Sequence, residues 1–208
     1  MKKNDTLLQA FEWYLPDDSQ HWNKLKVQTP SFSNLGVTLV WLPPAYKGAG
    51  GVHDVGYGVY DLYDLGEFDQ KGTIPTKYVT KQEYLDAIDA LQKENISVLA
   101  DIVLNQKMGG DTEETIDVIK SDPNNRNEEI GGDYQITAWT KFTFPNRHGK
   151  YSTFTWNASH FDGTDWDEKK KQSAIYLIEG KNWDSNVDSE NGNYDYLMGC
   201  DIDFKNQE

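Results

Sequence analysis

The chain has 208 residues, with 34 Asp and Glu against 20 Lys and Arg, for a net charge of −14. That acidity repels polyanions, which sets aside nucleic acid and anionic membrane surfaces as partners. Aromatic residues make up 13% of the chain, including seven Trp and twelve Tyr, enough to pack one large domain or two small ones.

Cys200 is the one cysteine, so no intramolecular disulfide can form, as expected in a reducing compartment. The start, MKKNDTLLQAFEWY, has no apolar core long enough for a secretion signal, and no apolar run is long enough to span a membrane. The expected location is cytoplasmic, and Asn157-Ala158-Ser159 is then a chance glycosylation tripeptide.

In chain order, Thr6 to Tyr14 reads as a first strand ending in Trp13 and Tyr14. Gln20 to Leu35 reads as helix, with Thr29-Pro30 as cap and first-turn proline of a second short piece and Gly36 as the stop. Val37 to Leu42 is a second strand, closed by Pro43-Pro44, and a Gly-rich excursion, KGAGGVHDVGYG, follows. Thr80 to Glu94 reads as helix: Thr80 and Glu83 make a capping box, Tyr84, Ile88 and Leu91 one apolar stripe, and Asn95 a left-handed terminus. Val98 to Leu104 is a third apolar run, broken only by Asp101, of the kind a parallel strand buried on both faces shows. It ends in Asn105, Gln106 and Lys107, as strands of α/β barrels end where they deliver polar groups to the C-terminal mouth. The order β-α-β-insert-α-β implies a parallel sheet with right-handed crossovers.

Lys107 to Gly132 is polar and reads as surface loop. From Tyr134 to Phe144 the apolar residues fall mostly on even numbers, a strand with one wet face, and Ala174 to Ile178 reads as another. Residues 105–200 therefore form a separate, mostly antiparallel insert, and Asp201 to Phe204 enters something shorter.

Two constellations carry chemistry. Between Asn182 and Phe204 lie six acids, Asp184, Asp188, Glu190, Asp195, Asp201 and Asp203, with no Lys or Arg. Solvent can relieve that repulsion, and so can calcium, which takes six to eight hard oxygens; Asn105 offers an amide of the right type. Asp184, Asn186 and Asp188 match the first half of an EF-hand loop, but Ser189 replaces its Gly and Asp195 its Glu. Separated histidines and a lone Cys200 argue against zinc. The second constellation is Trp13 and Tyr14, Tyr57 and Asn105-Gln106, each following a strand. Parallel strands would bring them to one rim, where aromatic faces and amides suit sugar rings, although Trp13 and Tyr14 could also be core aromatics.

The segments QAFEWYLPDD, VWLPPAYKG, DVGYGVYDLYDLGEFDQKGT, ADIVLN, FDGTDWDE and ENGNYDYLMGCDID follow one another over nearly the whole chain. In this set the chain resembles the N-terminal portion of bacterial liquefying-type and cytoplasmic α-amylases. The resemblance implies a (β/α)8 barrel (TIM barrel) with a calcium-bearing domain B after the third strand. Residues 1–104 would be the first three β/α units, 105–200 domain B, and 201–208 the return toward a fourth strand. It implies metal ligands at Asn105, Asp162, Asp184, Asp195, Asp201 and Asp203, in a site for Ca2+ or a calcium–sodium–calcium cluster. Tyr57 would be the stacking aromatic under the sugar beside the cleaved bond, with Gln9, Trp13 and Gln106 as further substrate contacts. The implied substrate is an α-(1→4)-glucan, cut internally by a retaining mechanism.

Three positions depart from the family pattern. Gln106 replaces a His that bonds the sugar, Pro75 an Arg, and Val79 a Gly whose positive φ a Val holds poorly. Retaining hydrolysis also needs two carboxyl groups, which the family places after strands four and five. The chain ends at Glu208, before both, and its barrel-type residues fall well short of the ~250 of a typical barrel. The expectation is a fragment with no catalytic residue of its own, needing the remainder of the barrel. The alternative is a calcium-dependent glucan-binding module.

Overall fold

A computed structural model describes residues 4–132, 134–184 and 197–207. The chain divides into two compact units: Met1–Val103 with Asn146–Tyr151, and Leu104–Pro145 with Ser152–Glu208.

The first unit is built on three parallel strands, β1 (Leu7–Gln9), β2 (Leu39–Leu42) and β5 (Ser97–Ala100), in the order β1-β2-β5. Two helices, α1 (His21–Asn34) and α2 (Lys81–Lys93), connect them. Register places Leu8, Val40 and Val98 in one row, and Val40 and Leu42 pack with Trp22, Leu25, Tyr84 and Leu91 of the helices. The other face carries Gln9, Trp41 and Leu99 in one row.

Both helices end as expected. Val37 N–H donates to Phe32 O and Gly36 N–H to Ser33 O, the paired bonds of a Schellman motif, with Gly36 at φ +79°. Ile96 and Asn95 repeat the pattern on Leu91 and Gln92, with Asn95 at φ +59°. At the start of α2, Thr80 Oγ1 lies 2.6 Å from Glu83 Oε2, which also accepts the Thr80 N–H at 3.3 Å. Pro30 starts no second helix; α1 runs through it. Thr29 Oγ1 holds the preceding turn by donating to Leu25 O at 3.1 Å, and Lys26, whose carbonyl loses its helical donor to the proline, is exposed.

The first strand is shorter than expected, ending at Gln9, and Trp13 and Tyr14 lie in an exposed turn rather than in the core. The third also stops early, at Ala100, and is not buried on both faces: Leu99 is 44% and Ile102 58% exposed. Among the described residues the helices cover only one side of this sheet, and a parallel sheet needs both covered to bury such a strand.

The excursion between β2 and α2 is organised by buried carboxylates. Strands β3 (Lys47–Gly48) and β4 (Val59–Asp61) pair antiparallel. Asp54 accepts the N–H groups of Gly50 and Gly56 at 3.0 and 2.8 Å. A Cβ at Gly48 or Gly58 would lie 2.2 or 2.5 Å from that carboxyl group, so only glycine fits there. Fully buried Lys47 sits 3.4 Å from fully buried Asp64 and donates to Thr73 O and Ile74 O at 2.5 and 2.8 Å. Asn146–Tyr151 groups with this unit rather than with the insert, for a visible reason. Arg147 and Asp61, both buried, pair at 3.0 Å, and Lys150 and Tyr151 both bond Glu67.

The second unit is a six-stranded antiparallel sheet in the order β6-β11-β9-β10-β7-β8. Its strands are β6 (Gln106–Lys107), β7 (Thr112–Ser121), β8 (Tyr134–Lys141), β9 (Phe161–Asp167), β10 (Gln172–Ile178) and β11 (Cys200–Ile202). In β8, Ile136, Ala138 and Thr140 are buried on alternate positions, as the period-2 pattern requires. The expected surface loop after Lys107 is instead largely the long strand β7, which buries Ile116 and Val118 between acidic neighbours. Residues Cys200–Ile202 belong to this sheet, paired with β6 and β9. No helix among the described residues is long and apolar enough to cross a membrane.

Candidate functional site

Parallel strands end on one side of their sheet, so the loops after β1 and β2 and the residue after β5 share that side. Gln9 closes β1, exposed, with Nε2 donating to Phe11 O at 3.0 Å. Trp13, 60% exposed, follows in the next turn. Tyr57 comes from the excursion after β2. The two rings lie nearly parallel, 5° apart in plane with centroids at 6.1 Å. Tyr57 Oη donates to Asp101 Oδ2 at 2.8 Å, and Asp101 is the first residue beyond β5. Burial pushes the Tyr57 phenol up and the bond to Asp101 adds to it, so the proton stays on the tyrosine. This group can stack an apolar ring face on Trp13 and Tyr57 and offer amide and carboxylate oxygens beside it. The sequence marks Asp101 as the one acid inside an apolar strand run but assigns it no role.

The second unit gathers the acidic positions. Ile202 N–H donates to Asn105 O at 3.0 Å, and Gln106 pairs with Asp201 in the sheet, so the exit and the return of the insert lie side by side. Asp201 is also in register with Gly163, next to Asp162. Asp162 is 4% exposed. Burial lifts its carboxyl to about 6, with the charges of Asp203 and Asp184 adding to the rise against Lys205 and Lys181. Burial works against the Asp203 carboxylate too, but the bond from Lys181 and backbone donors outweigh it and hold the group below its ordinary range. Lys181 Nζ bonds Asp203 Oδ2 and Ser159 O, both at 2.6 Å.

Asn105, Asp162, Asp184, Asp201 and Asp203 therefore fall in one region, while Asp195 lies outside the described residues, as do Asn186 and Asp188 of the EF-hand half-match. Among the described residues no three His, Cys, Asp or Glu side chains converge as a metal centre. The donor set is nonetheless one hard cations take: carboxylates and an amide, with one carboxylate buried among like charges. The thiol of Cys200 is buried, and burial pushes it up to about 12, so it sits in the core as an unreactive small side chain.

Gln106 is buried, and its amide donates to Met198 Sδ at 3.1 Å and accepts from Asn105 Nδ2 at 3.3 Å. The second unit also holds a cavity of about 350 Å3 whose walls include Trp139, Trp166, Met108 and Cys200. It escaped sequence reasoning because its two tryptophans come from separate strands with no shared motif.

No protein-family model matches the chain. It is 55% identical over 207 residues to an alpha-amylase of Geobacillus stearothermophilus, covering 99% of this chain and 38% of that protein. It is 47% identical over 208 residues to the cytoplasmic alpha-amylase of Escherichia coli K12, covering 98% of this chain and 42% of that one. Among solved structures, an alternansucrase in complex with isomaltotriose matches with a TM-score of 0.57 at 22% identity, over 82% of this chain and 16% of that one. At that identity the likeness concerns the fold alone. The chain is a homologue of bacterial alpha-amylases along practically its whole length, and it spans about two fifths of theirs.

Proposed function

We propose that this alpha-amylase homologue is the N-terminal part of a retaining, endo-acting glycoside hydrolase that cuts α-(1→4)-glucans in the cytoplasm. The reading is carried by the identity of 47–55% that runs unbroken through the chain. It is supported by the aromatic pair on the strand-end side of the parallel sheet, where α/β barrels keep their active sites. In this reading β1, β2 and β5 are the first strands of a (β/α)8 barrel. Their uncovered row of Gln9, Trp41 and Leu99 would line its interior, residues 105–200 would be domain B, and 201–208 would lead back toward a fourth barrel strand.

The division of labour follows from retaining chemistry. Such hydrolysis needs a carboxylate nucleophile and a carboxylic acid about 5–5.5 Å apart. Tyr57 and Trp13 would bind and orient sugar, while Gln9 and Gln106 would add polar contacts. A catalytic carboxyl pair would come from the remainder of the barrel, leaving the 208-residue chain without turnover of its own. Calcium, when bound, would neutralise the acids of the insert and tie its two ends together. Asn105, Asp162, Asp184, Asp195, Asp201 and Asp203 would hold it.

Two measurements on the 208-residue chain test this. Differential scanning calorimetry should show a melting temperature that rises with calcium and falls with chelator, by about 2.7 kcal/mol of stability at a hundred times the dissociation constant. A reducing-sugar assay on soluble starch should show no turnover, and sustained turnover would sink the division of labour. Tight maltoheptaose binding together with the absence of turnover in any longer product of the same gene would favour the glucan-binding module instead.

A further inference from the structure

Tyr57 rides on a loop, whereas Asp101 does not. The carboxylate follows directly on Ala100, the last residue of β5, and its own backbone N–H donates to Leu42 O at 3.3 Å, the last residue of β2. Asp101 is therefore fixed by two adjacent strands. The loop carrying Tyr57 is held on its other side by Tyr78, whose hydroxyl donates to Val55 O at 2.9 Å, and by the turn that Asp54 closes with Gly56 N–H at 2.8 Å. Neither bond reaches the Tyr57 ring. Two contacts bear directly on the ring: its hydroxyl on Asp101 at 2.8 Å at one end and the indole of Trp13 against its face.

We infer that Asp101 is a positioning residue: through the Tyr57 hydroxyl it holds that ring parallel to Trp13, so that loop and turn present one aromatic surface to a sugar. This rests on the sugar-binding role proposed for Tyr57 and extends it to the carboxylate that the Tyr57 hydroxyl bonds. A strand-end carboxylate is a stiff anchor, and a recognition surface needs its supporting groups locked to within a fraction of an ångström. Removing the anchor leaves Tyr57 covalently intact but takes away the hydrogen bond at the end of its ring, so its stacking contribution falls while the ring itself is still present.

The test compares D101A, D101N and Y57F in the full chain. An asparagine oxygen can still accept from the Tyr57 hydroxyl, whereas alanine cannot. Calorimetry with maltoheptaose should give about tenfold weaker binding for D101A and for Y57F, no further loss in the double variant, and near-recovery in D101N. Unchanged affinity in D101A, or additive losses in the double variant, would overturn the inference. A second readout does not depend on sugar. In nuclear magnetic resonance spectra the Tyr57 ring protons, identified by their loss in Y57F, are shifted by the Trp13 ring current. In D101A they should move toward the positions they take in W13A. If they stay in place, Asp101 does not position the ring. If the wild-type chain binds no oligosaccharide, the glucan reading fails by itself while the ring-current result still decides the role of Asp101.

Discussion

The two sheets of this chain solve the problem of apolar strands differently. The antiparallel sheet of the second unit needs one covered face, and its strands alternate: Ile116 and Val118, then Ile136 and Ala138, point inward between exposed neighbours. The parallel sheet of the first unit is apolar on both faces but has helices on one, so Leu7 and Leu99 stay 53% and 44% exposed. Among the described residues β1 and β5 are also its edges, each with one unpaired side. The comparison teaches that the caps and one-sided helix packing of a parallel β/α unit do not depend on its second face being covered, whereas the alternating strands of an antiparallel sheet ask for burial on one face only.

Matched truncations are the strongest way to break that comparison. Ile136 is 1% exposed on the buried face of β8, the last strand of the antiparallel sheet, so I136A should cost roughly 2–5 kcal/mol through lost transfer energy and a residual cavity. L99A deletes the same number of carbons from the uncovered face of β5 and should cost under about 1 kcal/mol. Urea denaturation followed by far-ultraviolet circular dichroism measures both. If L99A matched I136A, the face would be covered in solution, by a second copy of the chain for example, and the contrast between the sheets would vanish.

Acid should reach the first unit through its helices. His21 opens α1 against Trp22 and Tyr78, with ring centroids at 5.1 and 5.4 Å. Burial pulls its imidazole down to about 4. The folded state therefore disfavours the proton that the unfolded chain accepts near 6.5. Stability contributed by neutral His21 is intact above that value and is lost as pH falls from about 6.5 toward 4, by roughly 3 kcal/mol in all. In H21N the side chain keeps a polar group at that position but does not titrate. The wild type should lose stability relative to H21N across that window, and parallel profiles would mean His21 is as free to protonate as in water.

What the sequence disclosed follows the same divide. The helix signals of the first unit were legible because they are local: Thr80 with Glu83, Gly36 and Asn95 each act within a few residues. The clustering of the acids around Asn105 and Asp201 was legible through family resemblance, but the bonds that bring them together were not, being pairings across about a hundred residues. The strand β7 stayed hidden because only Ile116 and Val118 mark its buried rows among Glu113, Glu114 and Asp117, too short a period-2 signal inside a polar stretch. The exposure of Trp13 was equally hidden, since an aromatic residue at a strand end reads the same whether it enters the core or faces solvent.

The smallest effect is the sharpest, because it reverses an ordinary order. Val79 lies in the first unit's core at 6% exposure, yet its φ is +117°. The turn it closes is fixed from both sides, with Thr76 N–H donating to Val79 O at 3.0 Å and Val79 N–H to Thr76 O at 3.3 Å. Opposite, a Cβ on Gly66 would sit 2.5 Å from the Val79 carbonyl, so the backbone there cannot relax outward. A β-branched residue in that region is strained, by about 1–3 kcal/mol. Burying its side chain returns roughly 1.5–3 kcal/mol, which explains why the position tolerates valine at all. Alanine gives up most of that burial while keeping the strain of an L-residue at positive φ. Glycine gives up all of it but removes the strain. V79G should therefore melt close to the wild type, within about 1 kcal/mol, and above V79A, although glycine elsewhere in an ordered element is about 0.5–1 kcal/mol worse than alanine. Thermal unfolding of the three proteins decides it: alanine above glycine would mean the turn relaxes to negative φ in solution, and that this part of the first unit is held by its apolar contacts alone.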